Sequence, residues 1–404
     1  MITKELDFIP ILLGNDINSY SMARAFHEEY QVKSIIIGKF RSGPNNNSQI
    51  SDFIVIPKIE TDAVFLQTMN LIAEKYTNKK LLLIGCGDSY VNLIINNKNN
   101  LKDKFVMPYI GDGLMNDLIN KEKFYQICAL YNIDYPKTFI YRKNTSPNYD
   151  LSFDFPVILK PANGIMYWQF PFTGQDKVFK LKNRQELDQT AKKIFDSGYS
   201  DSLIVQDFIP GDDSFMRVLT CYSDKNAEVK LMSLGHVLLE EHTPHGLGNH
   251  AVILSDYNEA LTNKIKIFLE RLGYVGLSNF DIKYDSRDGK FKVFEINLRQ
   301  GRSNFYVTGS GDNLAKYIVE DYIRNNKLGY KVANTKNLWL VIPKMVALKY
   351  TKSQELKDTI ISLAEQGKII NPLFYKGDLN VKRLAYLIKS HLSHFRKYYK
   401  YYRQ

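Results

Sequence analysis

The alternation of apolar and polar residues changes its period along the chain. In residues 1–115 short apolar runs, FIPILLG (8–14), KSIIIG (33–38) and KLLLIGCGD (80–88), each end near glycine, with helix-like stretches between them. Such runs read as buried strands, and their alternation with helices predicts an α/β unit around a mainly parallel sheet. Residues 113–131 read as one helix, and Pro136 ends that pattern in IDYPKTFIY. FPVILKPANG (155–164) reads as strand then turn. A capping pair, Asn183 with Glu186, and a closing Gly198 bracket a helix over 184–197. From residue 201 strands dominate: SLIVQDFIPGDD (202–213), FMRVLTCY (215–222), VKLMSLGHVLLE (229–240), LSNFDIKYD (277–285) and KVFEINLR (292–299), with a helix at 258–272. The final part reads as helical, and no internal repeat or low-complexity linker interrupts the chain.

The stretch from 277 to 299 has the strictest period. DSRDG (285–289) supplies turn residues and an alternation of two holds on both sides, which predicts an antiparallel hairpin. Centred on Asp288, the hairpin sets Asp281 opposite Glu295 and Asn279 opposite Asn297. Like charges directly across a ladder repel. Two carboxylates and an amide oxygen on one wall become tolerable as hard oxygen ligands for Mg²⁺, which takes one or two carboxylates together with nucleotide phosphates. A solvated face bearing unpaired acids is the plainer alternative. Arg299 continues the same face, and a fixed guanidinium beside a metal suits a phosphoryl group.

Other residues fit the same chemistry. Lys160 ends the strand in PVILKP, where an ammonium can meet phosphates or merely solvent. Lys121, in INKEKFYQIC, opens a helix and carries the bland reading more easily. In IVQDFIPGDDS the strand runs through Gln206, Asp207, Phe208 and Ile209 to Pro-Gly and two acids. Backbone at a strand end can pair with an adenine edge, and a nearby acid can take ribose hydroxyls. There is no P-loop motif, and GCGDSY (85–90) lacks the third glycine of a dinucleotide fingerprint.

Composition adds limits. With 404 residues, 44% of them hydrophobic and 24% charged, the chain has the makeup of a globular protein of two or three domains. Three cysteines are too few and too scattered for a disulfide framework or zinc site. MITKELDFIPILLG has no signal-peptide pattern, and LWLVIP (338–343) stops at Lys344, so the expected location is the cytoplasm. The net charge is +11, of which +7 falls in residues 381–404, where no acid occurs. A basic excess that local argues against a nucleic-acid coat. Val381, Leu384, Ile388, Leu392, Phe395, Tyr399 and Tyr402 form a helical stripe there. The favoured reading packs that stripe on the body. The other directs 381–404 to an anionic membrane or a polyanionic precursor.

Taken in order, NK (120–121), LKP (159–161), VQDFIPGDD and NFDIKYD…FEINLRQGRS resemble the ATP-grasp ligases. FIPILLG, FPVILKPAN, IVQDFIPGDDSFMRVL and FEINLRQGRS narrow the resemblance to the D-aspartate ligases of Gram-positive bacteria. The resemblance implies an α/β and α+β fold with a Rossmann-like pre-domain at 1–115. It further implies a lid and nucleotide subdomain at 116–210, a catalytic subdomain at 211–330 and a basic helical extension at 331–404. It implies that Lys121 and Lys160 hold phosphates, that Gln206, Asp207, Phe208 and Ile209 line the adenine, and that Asp213 takes the ribose. Asp281, Glu295 and Asn297 would bind Mg²⁺, Arg299 would steady an acyl phosphate, and Gly301, Arg302 and Ser303 would meet substrate. Arg302 and Arg217 are candidates for an α-carboxylate, since guanidinium grips carboxylates bidentately.

The implied activity joins the β-carboxylate of D-aspartate to the ε-amino group of L-lysine in a peptidoglycan precursor, UDP-MurNAc-pentapeptide, with ATP. Another ATP-grasp ligase acting on a different acid, and a nucleotide-binding adaptor without turnover, remain alternatives. Two features depart from the family. PANGIMYWQFPFTG (161–174) is aromatic where a Gly/Ser-rich lid is usual, and Asn120 precedes the first lysine where many members have Asp. His242, His245 and His250 are candidate bases for the incoming amine, although a solvated loop is the favoured reading for them.

Overall fold

The structure, a computed structural model, describes residues 7–244 and 246–402. The chain divides into two compact units, Met1–Asp112 with Asp212–Asn279 and Asn297–Gln404, and Gly113–Gly211 with Phe280–Ile296.

The first unit opens with a five-stranded sheet of β1 (Phe8–Leu13), β2 (Ser34–Gly38), β3 (Ser51–Val55), β4 (Lys80–Gly85) and β5 (Phe105–Val106). All pairings are parallel, in the order β3-β2-β1-β4-β5. The expected α/β unit is present. Pro10 is tolerated in the central strand because pairing with β2 begins only at Ile11↔Ile35, so on that side no donor is missed. β3 and β5 escaped the sequence reading. β3 is an edge strand with Asp52, Ile54 and Val55 exposed, and β5 has two residues.

The second unit holds a four-stranded antiparallel sheet in the order β6-β9-β7-β8, from Thr138–Tyr141, Leu203–Asp207, Val157–Pro161 and Phe179–Leu181. Its core joins Val157, Leu159 and Val205 to Leu187, Ile194 and Phe195 of the helix Arg184–Asp196. That helix has the expected cap: Asn183 accepts from the Glu186 N–H at 2.9 Å, and Glu186 accepts from the Lys182 N–H at 2.8 Å. Residues 113–131 are two helices, Asp112–Ile119 and Lys121–Leu130, where one is expected. Asn120 leaves helical geometry and accepts from the Lys123 N–H at 3.1 Å, starting the second helix with Lys121 at its first position.

A third sheet has the order β14-β13-β10-β11-β12-β16-β17, with β15 added on β11. Its strands are β10 (Met216–Ser223), β11 (Val229–Glu240), β12 (His250–Asp256), β13 (Gly276–Asp285), β14 (Lys290–Asn297), β15 (Lys331–Val332), β16 (Leu338–Leu340) and β17 (Ile369–Ile370). β15, β16 and β17 correct the wholly helical reading of the final part; at two or three residues each they are too short to show a period. The hairpin β13–β14 turns where expected: Asp285 O accepts from the Gly289 N–H at 2.9 Å, with Gly289 at φ +71°.

The C-terminal helix Val381–Tyr401 corrects one expectation. Of its apolar stripe only Tyr402 packs on the body, donating to the Tyr350 carbonyl at 3.2 Å; Val381, Leu384, Ile388, Leu392, Phe395 and Tyr399 are exposed, and Arg383, Leu387 and Tyr398 form the buried face. The reason is Arg383, whose buried contacts fix the helix rotation.

Candidate active site

In the second unit Lys160, at the end of β7, is buried. Its Nζ donates to Tyr125 Oη at 2.9 Å, and that hydroxyl donates to the Phe294 carbonyl at 2.6 Å. Tyr125 lies one helical turn after Lys121, so the Asn120 cap that starts this helix aims both residues from one face. The Lys121 N–H is tied to the Ala162 carbonyl at 3.0 Å, and Lys121 Nζ lies 3.4 Å from Glu295 Oε2. Burial pushes Lys160 down to about 7, helped by the charge of Lys121 and opposed by Glu295. Burial alone would raise Glu295, yet Lys121, Lys177 and Lys160 together hold its carboxyl well below the usual range. The cluster thus sets three lysines, one of them depressed to about 7, around an ionised Glu295, with Asp281 near enough to act on Lys160.

β9 positions the expected adenine residues. Gln206 lies inside the ladder, opposite Thr138 and Ile158, with its Nε2 donating to Thr138 Oγ1 at 2.9 Å. Phe208 and Ile209 lie beyond the strand end, and the Phe208 ring has Lys180 Nζ 3.6 Å from its centroid. Arg287 donates to both oxygens of Asp207, at 3.1 and 2.6 Å, and to Asp285 at 2.8 Å. Of these, Asp207, Phe208 and Arg287 border a cavity of about 350 Å³, with Lys137, Phe155 and Pro210 also in its lining; Gln206 and Ile209 do not line it.

In the first unit Asn297 Nδ2 donates to the Asn279 carbonyl at 3.3 Å, as the hairpin reading requires of that pair. Arg299 grips Asp88 bidentately, Nε to Oδ1 at 2.7 Å and Nη2 to Oδ2 at 2.9 Å, and also donates to Asn297 Oδ1 at 3.2 Å. The loop after it is rigidly held. Gln300 and Asn304 both donate to Asn18 Oδ1, at 3.2 and 2.8 Å, and a Cβ on Gly301 would sit 2.5 Å from Asn279 Oδ1. Arg302 Nη2 donates to Glu241 at 3.2 Å, while its buried Nη1 lacks a hydrogen-bond acceptor. Ser303 Oγ lies 3.5 Å from His250 Nδ1. Burial, with the Arg302 charge, pushes His250 down to about 4. His394 of the C-terminal helix is depressed to about 3 by burial, with Lys397, His391 and Arg302 adding.

Two candidates are engaged elsewhere. Arg217 Nε donates to Asp256 at 2.8 Å, and its Nη1 donates to the Ser214 and Met216 carbonyls, each at 3.0 Å. Asp213 Oδ2 accepts from the Glu240 N–H at 2.9 Å and lies 2.9 Å from His242 Nε2, a pairing that raises the histidine. His245 lies outside the described residues.

Sequence reasoning missed Tyr125, Lys177, Asp88, Arg287 and His394. The four-residue spacing from Lys121 to Tyr125 was a usable signal; the others arise from distant folding and carried none. Among the described residues no group of three or more His, Cys, Asp or Glu gathers to hold a metal. In the second unit Asp281 and Glu295 of the β13–β14 hairpin are hard oxygen donors, and Glu295 stays ionised, so the pair fits Mg²⁺ completed by phosphate and water oxygens.

No family model matches the chain. The D-aspartate ligase of Enterococcus faecium (strain Aus0004) is 43% identical over 408 residues, covering 97% of this chain and 97% of that protein. Among solved structures, an L-amino acid ligase from Bacillus licheniformis superposes with a TM-score of 0.57 at 15% identity, over 79% of this chain and 75% of that one. The biotin carboxylase domain of the Hydrogenobacter thermophilus 2-oxoglutarate carboxylase, solved with MgADP and bicarbonate, gives 0.59 at 10% identity, over 81% and 72%. At such identities the structural likeness speaks for the fold alone, and that fold is ATP-grasp.

Proposed function

The chain belongs to the D-aspartate ligase family, and on that premise we infer that it is an ATP-dependent carboxylate–amine ligase that activates D-aspartate and joins it to an amine. The amine is the lysine ε-amino group of a peptidoglycan precursor, and the activated group is the β-carboxylate. The observation that carries the reading is the Lys160–Tyr125–Lys121–Glu295 cluster, in which a buried lysine depressed to about 7 and a half-buried lysine stand around one carboxylate. A polyanion such as a nucleoside triphosphate supplies the negative charge that restores the Lys160 ammonium.

A carboxylate does not react with an amine in water, so the acid is first phosphorylated and the amine then displaces phosphate. Lys160 and Lys121 neutralise the phosphates by position. Anion binding returns Lys160 to its charged state, since an opposite charge favours the ammonium. Tyr125 holds the Lys160 ammonium in place. Glu295, with Asp281 and Asn297, would hold Mg²⁺, which when bound spreads the charge of the phosphates. Arg299 donates to the acyl phosphate, exchanging its Asp88 partner for the new anion, and the loop at Gly301 offers a backbone N–H to the oxyanion. Arg302 and Ser303 receive the amino acid, with the unpaired Arg302 Nη1 aimed at a carboxylate. Gln206 to Ile209 frame the base. Asp213 keeps a ribose role on this reading by exchanging His242 for hydroxyls. The four-part division of the chain belongs to the same proposal, whereas a contact of 381–404 with an anionic membrane stands independently of the acid activated. ATP as co-substrate puts the reaction in the cytoplasm, at the inner face of the membrane if that contact is made.

The test is phosphate release with a panel of D- and L-amino acids, with and without the precursor. Release that requires D-aspartate and the precursor together supports the reading. Release with another acid assigns a different ATP-grasp ligase, and none with any acid leaves only a nucleotide-binding adaptor.

A further inference from the structure

The C-terminal helix Val381–Tyr401 carries three distinct faces at 3.6 residues per turn. Arg383, Leu387, His394 and Tyr398 fall on one, and this face docks on the first unit. Arg383 Nη1 donates to the Pro44 and Asn46 carbonyls at 2.8 and 3.0 Å, and Tyr398 Oη donates to the Glu240 carbonyl at 2.7 Å. Those contacts pin the helix near both ends. The second face is apolar and turned to solvent: Val381 is 86% exposed, Ile388 46%, Leu392 55% and Tyr399 83%. Lys382, Lys389, Arg396 and Lys400 form the third face, beside the apolar one, and residues 381–404 hold no acid.

An amphipathic helix ordinarily buries its apolar stripe and leaves its charges in water. Here the protein buries an arginine and leaves the stripe out. Contiguous exposed apolar surface of this kind marks an interaction site. The charge beside it names the partner, because a second copy of the helix would set its own cations against these. We propose that Val381–Tyr401 is an interfacial helix that seats the enzyme on an anionic lipid bilayer, with Val381, Leu384, Ile388, Leu392, Phe395 and Tyr399 in the acyl boundary. Lys382, Lys389, Arg396 and Lys400 then lie at the anionic headgroups. This docking stands on the helix alone and holds whichever acid the ligase activates. Among the described residues no helix is long and apolar enough to cross a membrane, so the attachment is peripheral.

The experiment is sedimentation of the full-length protein with phosphatidylcholine vesicles, with and without about one-third phosphatidylglycerol. The expected result is binding to the anionic vesicles, weakened by salt, and little binding to the neutral ones. Leu392→Asp lowers binding by about tenfold or more, the loss of one buried leucine. The triple change Lys382→Gln, Lys389→Gln, Arg396→Gln lowers it by about a hundredfold, each cation being worth roughly fivefold. These side chains are exposed, so unchanged thermal melting and phosphate release serve as folding controls. No sedimentation with anionic vesicles overturns the proposal, as does binding that both variants retain. A concentration-dependent dimer broken by Leu392→Asp, with no vesicle binding, also overturns it and assigns the stripe to a second copy.

Discussion

Arg383 with Asp378 in the first unit is a fully buried pair of opposite charges, whereas in the second unit a buried Lys160 stands beside a half-buried Glu295, and their surroundings differ. Asp378 accepts from Tyr20 Oη at 2.8 Å, from Ser48 Oγ at 2.9 Å and from the Gln49 N–H. Arg383 Nε lies 3.3 Å away, with its guanidinium 4.2 Å from the Tyr20 ring centroid. That pair is matched in sign and Asp378 is supplied with donors, although Arg383 Nε and Nη2 have no hydrogen-bond acceptor. Lys160 has one neutral partner in Tyr125, and Lys121 and Lys177 add positive charge. The structural ion pair is balanced in charge within the folded chain, whereas the lysine cluster gains its balance from a bound anion.

The sharpest way to break this contrast is Glu295→Gln. Removing the one carboxylate at the heart of the cluster should lower phosphate release by at least about a hundredfold while leaving the melting curve intact. The converse holds for Asp378→Asn, which leaves Arg383 buried without its counter-charge. It should cost about 3–5 kcal/mol in denaturant unfolding, with turnover per folded molecule unchanged.

Lys160→Met separates the two kinds of cluster through pH. The lysine titrates at about 7 in the folded protein against an ordinary 10.5. Between those values the unfolded chain binds a proton that the folded one does not, so wild-type stability rises with pH across that window. The penalty is fully present below about pH 7. The variant should therefore lose turnover yet unfold later than wild type at pH 7, by ~4 kcal/mol, with the advantage gone near pH 10.5. A variant less stable than wild type at pH 7 would make Lys160 a structural lysine. Smaller again, Arg302→Lys should raise the KM for D-aspartate about tenfold through loss of the planar fork, with the KM for ATP unchanged. Tyr125→Phe should cost roughly 1 kcal/mol of ATP affinity, one hydrogen bond to the lysine.

The same contrast shows what the sequence made legible. β1, β2 and β4 are mostly apolar runs closing at or next to glycine, and the hairpin has strict alternation around a turn, so both stood out. Lys160 could be placed because it ends such a run. The rotation of the C-terminal helix could not. Its stripe predicts burial, and only the fold reveals that Arg383 meets Asp378 and the carbonyls of Pro44 and Asn46. Arg299 was legible as a guanidinium on the hairpin face, but its Asp88 partner is 211 residues away and leaves no local trace. The local rule for Asn120 was available, since an asparagine three residues before the lysine N–H it caps is an ordinary helix start.

The account rests on Lys160 being largely neutral until phosphates arrive. Calorimetric titration of preformed MgATP into the protein at pH 8, repeated in buffers of different ionisation enthalpy, counts the protons taken up on binding. Uptake approaching one proton, abolished in Lys160→Gln while nucleotide still binds, is the predicted result. Binding without proton uptake, or with the same uptake in the variant, would contradict the claim that this buried lysine awaits the nucleotide's charge.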